Sequence, residues 1–438
     1  MENKKLEEIQ NQIHKLVEDF CKFNLKKEKF SPGKTLIPAS GRVIDSFEVK
    51  NLVNASLDGW LTTGRFNKSF QDSLAKYLGV KSLITVNSGS SANLIAFSSL
   101  TSSLHKDKAI KPGDEVITVA AGFPTTVNPI IQNGAVPVFV DIKIPTYNID
   151  ENLIENAITK KTKAIMLAHT LGNPFNIEKI IEICKKNNLW LIEDNCDALG
   201  SKYKEKFTGT FGDVATLSFY PAHHITMGEG GAVFTNNFRI KRVAESFRDW
   251  GRDCYCEPGF ENTCNKRFEW KLGELPAGYD HKYIYSHIGY NMKITDMQAA
   301  CGLAQLGKLN KFIEKRKRNF NFLKSNLKEL SDIIILPEKE THSDPSWFGF
   351  PITLKEKSKI ERRKLIIELN KNKIGTRLLF SGNLTKQPAY IGKKFKVSGK
   401  LTNTDSVMNN TFWIGLYPAL GEEELTFVVK TLKRILKN

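Results

Sequence analysis

At 438 residues and 41% hydrophobic content, the chain is long enough to bury one large core and a smaller one. Its formal charge of +17 comes from lysines spread along the whole length without a dense basic block, which argues against nucleic acid as partner and for a solvated surface that also attracts a phosphorylated substrate. No apolar run is long enough for a membrane span and Met1–Lys29 is charged rather than apolar-centred, so a cytoplasmic protein without a membrane partner is expected, with its seven cysteines as thiols or metal ligands.

Met1–Lys29 carries Leu6, Ile9, Ile13, Leu16, Val17 and Phe20 at helical spacing and is expected as a helix. Ser31–Gly41 reads as a connector, and Ser46–Leu61 as a helix leading to Thr62-Thr63-Gly64. From Asn67 a helix with Phe70, Leu74, Tyr77 and Leu78 on one side ends at Gly79. The strand Ser82–Val86 then runs into Asn87-Ser88-Gly89-Ser90-Ser91-Ala92-Asn93 and a further helix. Strand, small residues and helix start make a phosphate seat: Gly89 lets the backbone come close, while Ser90 and Ser91 present amides and hydroxyls at a helix N-terminus. A serine cap accounts for the same residues.

The pattern repeats as Glu115–Ala120 and Thr125–Gln132, Val136–Asp141 and Glu151–Ile158, Ala164–Ala168 and Ile177–Asn187, then Leu189–Glu193. Continuous apolar strands alternating with amphipathic helices predict an α/β fold with a mainly parallel sheet covered on both faces. Strand ends are where such sheets hold their sites. At these ends stand Gly122-Phe123-Pro124, Glu193-Asp194-Asn195-Cys196-Asp197 and, after the strand Asp213–Phe219, a turn with the adjacent imidazoles His223 and His224. A helix is expected over Thr295–Leu330, and Trp347–Leu354, Gly375–Phe380 and Glu422–Leu436 are expected to supply the core of a smaller C-terminal α+β domain. The predicted organisation is therefore an N-terminal helical segment, 1–60, a large cofactor-binding domain, 61–300, and a linking helix with the small domain, 301–438.

Ser218-Phe219-Tyr220-Pro221-Ala222-His223, followed by Gly228-Glu229-Gly230-Gly231, closely resembles the lysine-bearing segment of the sugar aminotransferases that use pyridoxal phosphate, the DegT/DnrJ/EryC1/StrS family. The resemblance implies the aspartate aminotransferase-like fold. It also places Gly89, Ser90, Ser91 and Ser218 at the cofactor, the first three as its phosphate seat, with the Phe123 ring on the pyridine and Asp194 against the pyridine nitrogen. Asn291, in Gly289-Tyr290-Asn291-Met292-Lys293, would reach the cofactor of a second subunit, which implies a homodimer with shared sites. Phe348 and Arg377 fall where the family lines the substrate. The family's lysine position holds His223, and an imidazole cannot tether the cofactor as an imine. The implied cofactor is free pyridoxamine 5′-phosphate, with His223 as the proton-transferring base and Tyr220 and Asp197 close enough in sequence to influence it. The sequence does not separate His223 from His224 in that role.

Cys196, Cys254, Cys256 and Cys264 give the spacing C-x57-C-x-C-x7-C, three of them in the loop Asp253–Asn265, to which Pro258 and Gly259 lend turn character. Four thiolates suit tetrahedral zinc or an iron-sulfur cluster, and spacing does not choose between them. Together with His223, the spacing resembles family members that join pyridoxamine phosphate to a 2Fe-2S cluster. That resemblance implies C3 deoxygenation of CDP-4-keto-6-deoxy-D-glucose, a separate NAD(P)H-dependent flavin and iron-sulfur reductase as partner, and a role in making 3,6-dideoxyhexoses of surface polysaccharide. A dehydratase without a cluster, an ordinary aminotransferase and a zinc-stapled regulatory protein are the rivals.

Overall fold

Seven strands running one way and one running against them make the central sheet of the computed structural model, which describes residues 2–26, 28–256 and 259–437. Across the sheet the order is Ser82–Val86, Gly231–Thr235, Val214–Ser218, Trp190–Asp194, Thr162–Ala168, Glu115–Val119, Val136–Val140 and Lys396–Val397. Gly231–Thr235 is the antiparallel member, lying between Ser82–Val86 and Val214–Ser218. The expected parallel α/β sheet is present, and sequence reading missed this strand because it follows a glycine cluster that reads as a loop.

Strands such as Glu115–Val119, Val136–Val140 and Val214–Ser218 are buried at every residue, as layers on both faces require. One layer packs Ile95, Phe97, Val127 and Ile130 against Val116, Phe139 and Ile192; the other packs Ile177, Ile180 and Ile183 against Ile117, Val138 and Leu191. Each such side chain, fully buried, contributes about 1.5–3 kcal/mol. The helix Arg65–Leu78 ends as expected at Gly79, whose φ of 71° takes the left-handed conformation of a helix stop.

A second sheet, ordered Ile334–Ile335, Gly349–Leu354, Thr411–Gly415 and Thr376–Leu378, is covered by Arg362–Lys371 and Glu422–Lys437. One stretch from this C-terminal part, Lys396–Val397, pairs with Val138 and Phe139 and extends the large sheet. Chain order and sheet membership therefore part company there.

Three expectations are corrected. The helix expected over 295–330 is two helices, Asp296–Leu306 and Leu309–Leu327, separated at Gly307, a poor helix former. The helix from Ser46 stops at Leu57, four residues short of the expected end, with Asp58 as its C-cap. The first helix spans Glu2–Asn24 and buries only Cys21, while Leu6, Leu16 and Phe20 of its apolar stripe are exposed. It is joined to the helix Ser46–Leu57 by polar contacts, Gln10 and His14 meeting Asn54 and Lys50 meeting Glu18. Lys27 and Pro258, included in the predicted first helix and the predicted turn, lie outside the described residues.

Candidate active site

The C-terminal ends of Ser82–Val86, Glu115–Val119, Trp190–Asp194 and Val214–Ser218 converge because the strands are in register: Val86 and Ser218 both face Gly231, and Thr216 faces Asp194. Residues more than a hundred positions apart meet there. A Cβ added at Gly89 would lie 2.4 Å from Ser218 Cβ and 3.2 Å from Cys196 Sγ, so only glycine fits between them.

The helix Gly89–Ser99 starts at this point, but its cap is Ser88. Ser91 is corrected as an anion donor: its amide donates to Ser88 Oγ at 3.0 Å and its hydroxyl to Asn87 Oδ1 at 2.6 Å, so both are spent on the cap. The amides of Gly89 and Ser90, in the first turn, together with the exposed Ser90 hydroxyl and Ser218, remain as a cradle for a phosphate. The Phe123 ring is 51% exposed at the head of Pro124–Gln132, edge-on to Phe380, with a face free for a planar ligand.

Asp194 is buried and held from several sides. Its Oδ2 accepts from Asn93 Nδ2 at 2.8 Å and Thr126 Oγ1 at 2.7 Å, its Oδ1 accepts from the Cys196 amide at 3.1 Å, and Thr216 Oγ1 donates to Asn93 Oδ1 at 2.7 Å. Sequence reading assigned Asn93, Thr126 and Thr216 no part here, although buried polar residues on apolar faces are a visible signal. The carboxylate is aimed by a complete network, which is what a partner for a pyridine nitrogen needs.

The structure separates the two imidazoles. His224 is buried and donates Nε2–H to the Ser346 carbonyl at 2.7 Å, a bond that fixes its ring; burial holds its pKa well below the ordinary value. His223 stands at the site, its Nδ1 3.5 Å from Asp197 Oδ1 and its ring 5.2 Å from that of Phe348. Burial lowers the His223 pKa to about 4, with Asp194 acting to raise it and Arg316 to lower it further, so the ring is neutral and able to accept a proton. Asp197 is pushed up to about 8 by burial and by Asp194, against the pull of Arg316.

The remaining site residues divide. Phe348 is buried beside His223. Tyr220 is 51% exposed in the preceding turn. Arg377 is exposed and donates to the carbonyl of its neighbour Thr376, which is the behaviour of a surface arginine. Asn291 is exposed, accepting from Lys293 Nζ at 2.9 Å, while the next residue, Met292, accepts at its carbonyl from the Asn87 amide.

Cys254, Cys256 and Cys264 line one small cavity with His281, Asn262 and Arg267. Cys196 lies against Gly89 and 3.9 Å from Thr216 Oγ1, and burial beside Asp194 pushes its thiol well above the ordinary pKa. Among the described residues no group of three or more His, Cys, Asp or Glu side chains is arranged to hold a metal ion.

The sequence pattern of the DegT/DnrJ/EryC1/StrS aminotransferase family matches residues 43–433. The chain belongs to this family. It is 60% identical over 421 residues to the lipopolysaccharide biosynthesis protein RfbH of Salmonella typhimurium, covering 96% of each chain. It is 51% identical to the dTDP-4-dehydro-2,6-dideoxy-D-glucose 3-dehydratase of Saccharopolyspora spinosa, covering 92% of this chain and 87% of that one. Among solved structures, GDP-4-keto-6-deoxy-D-mannose-3-dehydratase of E. coli with bound hydrated pyridoxal phosphate superposes with a TM-score of 0.81 at 28% identity, over 90% of this chain and 99% of that chain. The fold is thus the family's aspartate aminotransferase-like α/β architecture, and pyridoxal or pyridoxamine phosphate is the family cofactor. The cradle at Gly89, the free face of Phe123 and the oriented Asp194 fit that group.

Proposed function

We propose that this chain removes the C3 hydroxyl of a nucleotide-linked 4-keto-6-deoxyhexose, using pyridoxamine 5′-phosphate, in the synthesis of deoxysugars for surface polysaccharide. The observation that carries the reading is His223, a neutral imidazole in the lysine position of an aminotransferase family, set between Asp197 and Phe348 near an oriented Asp194.

Gly89, Ser90 and Ser218 would hold the cofactor phosphate, Phe123 would cover the ring, and Asp194 would pair with the ring nitrogen. Bound pyridoxamine phosphate supplies an amine that condenses with the ketone and a ring that accepts an electron pair. His223 takes the proton from the aminomethyl carbon. Asp197, 3.5 Å from Nδ1, flanks the imidazole, and Phe348 walls the base from bulk water. Tyr220 borders the same turn from the exposed side. Arg377 would lie on the substrate side, and Asn291 would serve a second copy's cofactor in a homodimer.

The finer reading takes CDP-4-keto-6-deoxy-D-glucose as substrate and the four cysteines as ligands of a 2Fe-2S cluster fed by an NAD(P)H-dependent flavin reductase. It is supported by the thiol spacing and by the cavity shared by Cys254, Cys256 and Cys264, and no step is assigned to a cluster. The test is turnover of CDP-, dTDP- and GDP-linked 4-keto-6-deoxyhexoses with added pyridoxamine phosphate, alongside iron and sulfide analysis of anaerobically purified protein. Loss of the C3 hydroxyl, abolished in His223→Asn, supports the function. An amino sugar product with a borohydride-trapped lysine adduct would replace it with aminotransfer, and protein with zinc in place of iron would remove the cluster.

A further inference from the structure

Arg316 lies on the helix Leu309–Leu327 and has no exposed surface, the largest fully buried side chain among the described residues. Arginine is seldom fully buried unless something in the interior needs its charge or its fork of donors. Its Nη1 donates to the carbonyls of Trp347 and Phe348 at 3.2 and 3.1 Å, and its Nη2 donates to the carbonyl of His223 at 3.3 Å. Its Nε is buried without a hydrogen-bond partner. Asp197 is the carboxylate whose charge acts on it. The guanidinium carbon lies 5.9 Å from the centre of the Phe348 ring. One side chain from the C-terminal third of the chain therefore binds the backbone of the proposed base and of the aromatic wall facing it, with Asp197 as counter-charge.

The surroundings leave that arrangement little slack. A Cβ at Gly172 would meet the Ser346 carbonyl at 2.4 Å and the Asp197 carbonyl at 3.0 Å, and the Phe348 amide donates to the Leu171 carbonyl at 2.8 Å. The 346–348 strap is thus pressed against the loop after Thr162–Ala168 and against the residues after Trp190–Asp194. The turn bearing His223 is held from inside by its amide bond to the Tyr220 carbonyl and, through Arg316, by its own carbonyl.

We propose that Arg316 is a positioning residue, which sets the spacing between His223 and Phe348 by gripping both backbones at once without touching substrate or cofactor. The proposal rests on the reading of His223 as the base for its catalytic consequence, but its geometric content stands alone. A lysine at 316 keeps the charge and loses the fork; a methionine loses both.

The experiment compares Arg316→Lys and Arg316→Met with the wild-type chain, with pyridoxamine phosphate as the added ligand. Amide hydrogen exchange is followed in peptides covering 220–226 and 345–350, with 190–194 as control, and kcat, KM and the cofactor Kd are measured. In both variants the turn peptide 220–226 and the strap peptide 345–350 are expected to exchange at least about tenfold faster while the control is unchanged. A misplacement on the scale of an ångström is expected to lower kcat by about 10²-fold with KM and Kd within about twofold. Should the methionine variant fail to fold, the lysine variant carries the test alone. Exchange unchanged in the strap, or raised equally in the control, overturns the proposal, as does a Kd that collapses with kcat. If the wild-type chain turns over no sugar nucleotide, the functional reading falls and the exchange pattern still judges Arg316.

Discussion

The strand-end site and the cysteine loop use many of the same residue types and are built on opposite principles. In the first, Gly89, Asp194, Ser218 and His223 are far apart in sequence, yet strand register and buried hydrogen bonds fix them in one place. In the second, Cys254, Cys256 and Cys264 are neighbours in sequence on irregular backbone, held by polar contacts at the protein surface such as Arg267 to Asp280 and Lys282 to Glu261. The thiols of that loop respond to local contacts. Burial pulls both Cys254 and Cys256 upward, but Cys256 ends below its ordinary value because hydrogen bonds, first among them that from Thr263, outweigh it. Nearness in sequence gathers ligand types, whereas a rigid sheet aims them.

The sharpest way to break this contrast is His223→Asn. It is expected to lower dehydration by about 10²–10⁴-fold, the usual worth of a general base, with the cofactor still bound; steady-state rates and cofactor titration check it. Full activity would move the base to another residue and strip the strand-end site of its central role.

Next in size is Gly89→Ala. The added methyl overlaps Ser218, so a loss of about 1–3 kcal/mol in denaturant unfolding is expected, together with weakened pyridoxamine phosphate binding. A variant with wild-type affinity would place the phosphate elsewhere. Thr126→Val removes one donor to Asp194 and is expected to cost about 1 kcal/mol of stability, with a weaker cofactor complex measured by fluorescence titration.

On the loop side, if the thiols hold a cluster as the finer proposal has it, Cys264→Ser lowers the iron content of anaerobically purified protein while leaving the thermal midpoint in place. Equal metal in variant and wild type would detach Cys264 from any centre. The smallest effect is expected for Lys282→Ala, whose partner Glu261 is exposed: the thermal midpoint stays within error. A clear drop would show that the loop is stiffer than its surface contacts imply.

The alternation of apolar strands with amphipathic helices determined the α/β sheet, because a strand buried on both faces must be apolar throughout. The motifs after those strands likewise marked Gly89, Phe123, Asp194 and His223. What followed a glycine cluster or joined from far along the chain was not legible: the antiparallel strand Gly231–Thr235 and the edge strand Lys396–Val397 depend on pairing partners that local sequence does not name. Between His223 and His224 the sequence offered only the match of His223 to the family's lysine position, and the structure adds that His224 is tied by Nε2–H to the Ser346 carbonyl. Arg316 was half visible. It falls on the buried face of its helix with Phe312, Ile313, Phe320 and Leu323, a spacing at which a charge is anomalous, yet it was not singled out from the sequence. Only the tertiary structure decided what that charge holds, because its hydrogen-bond acceptors are backbone carbonyls, and these carry no sequence signature.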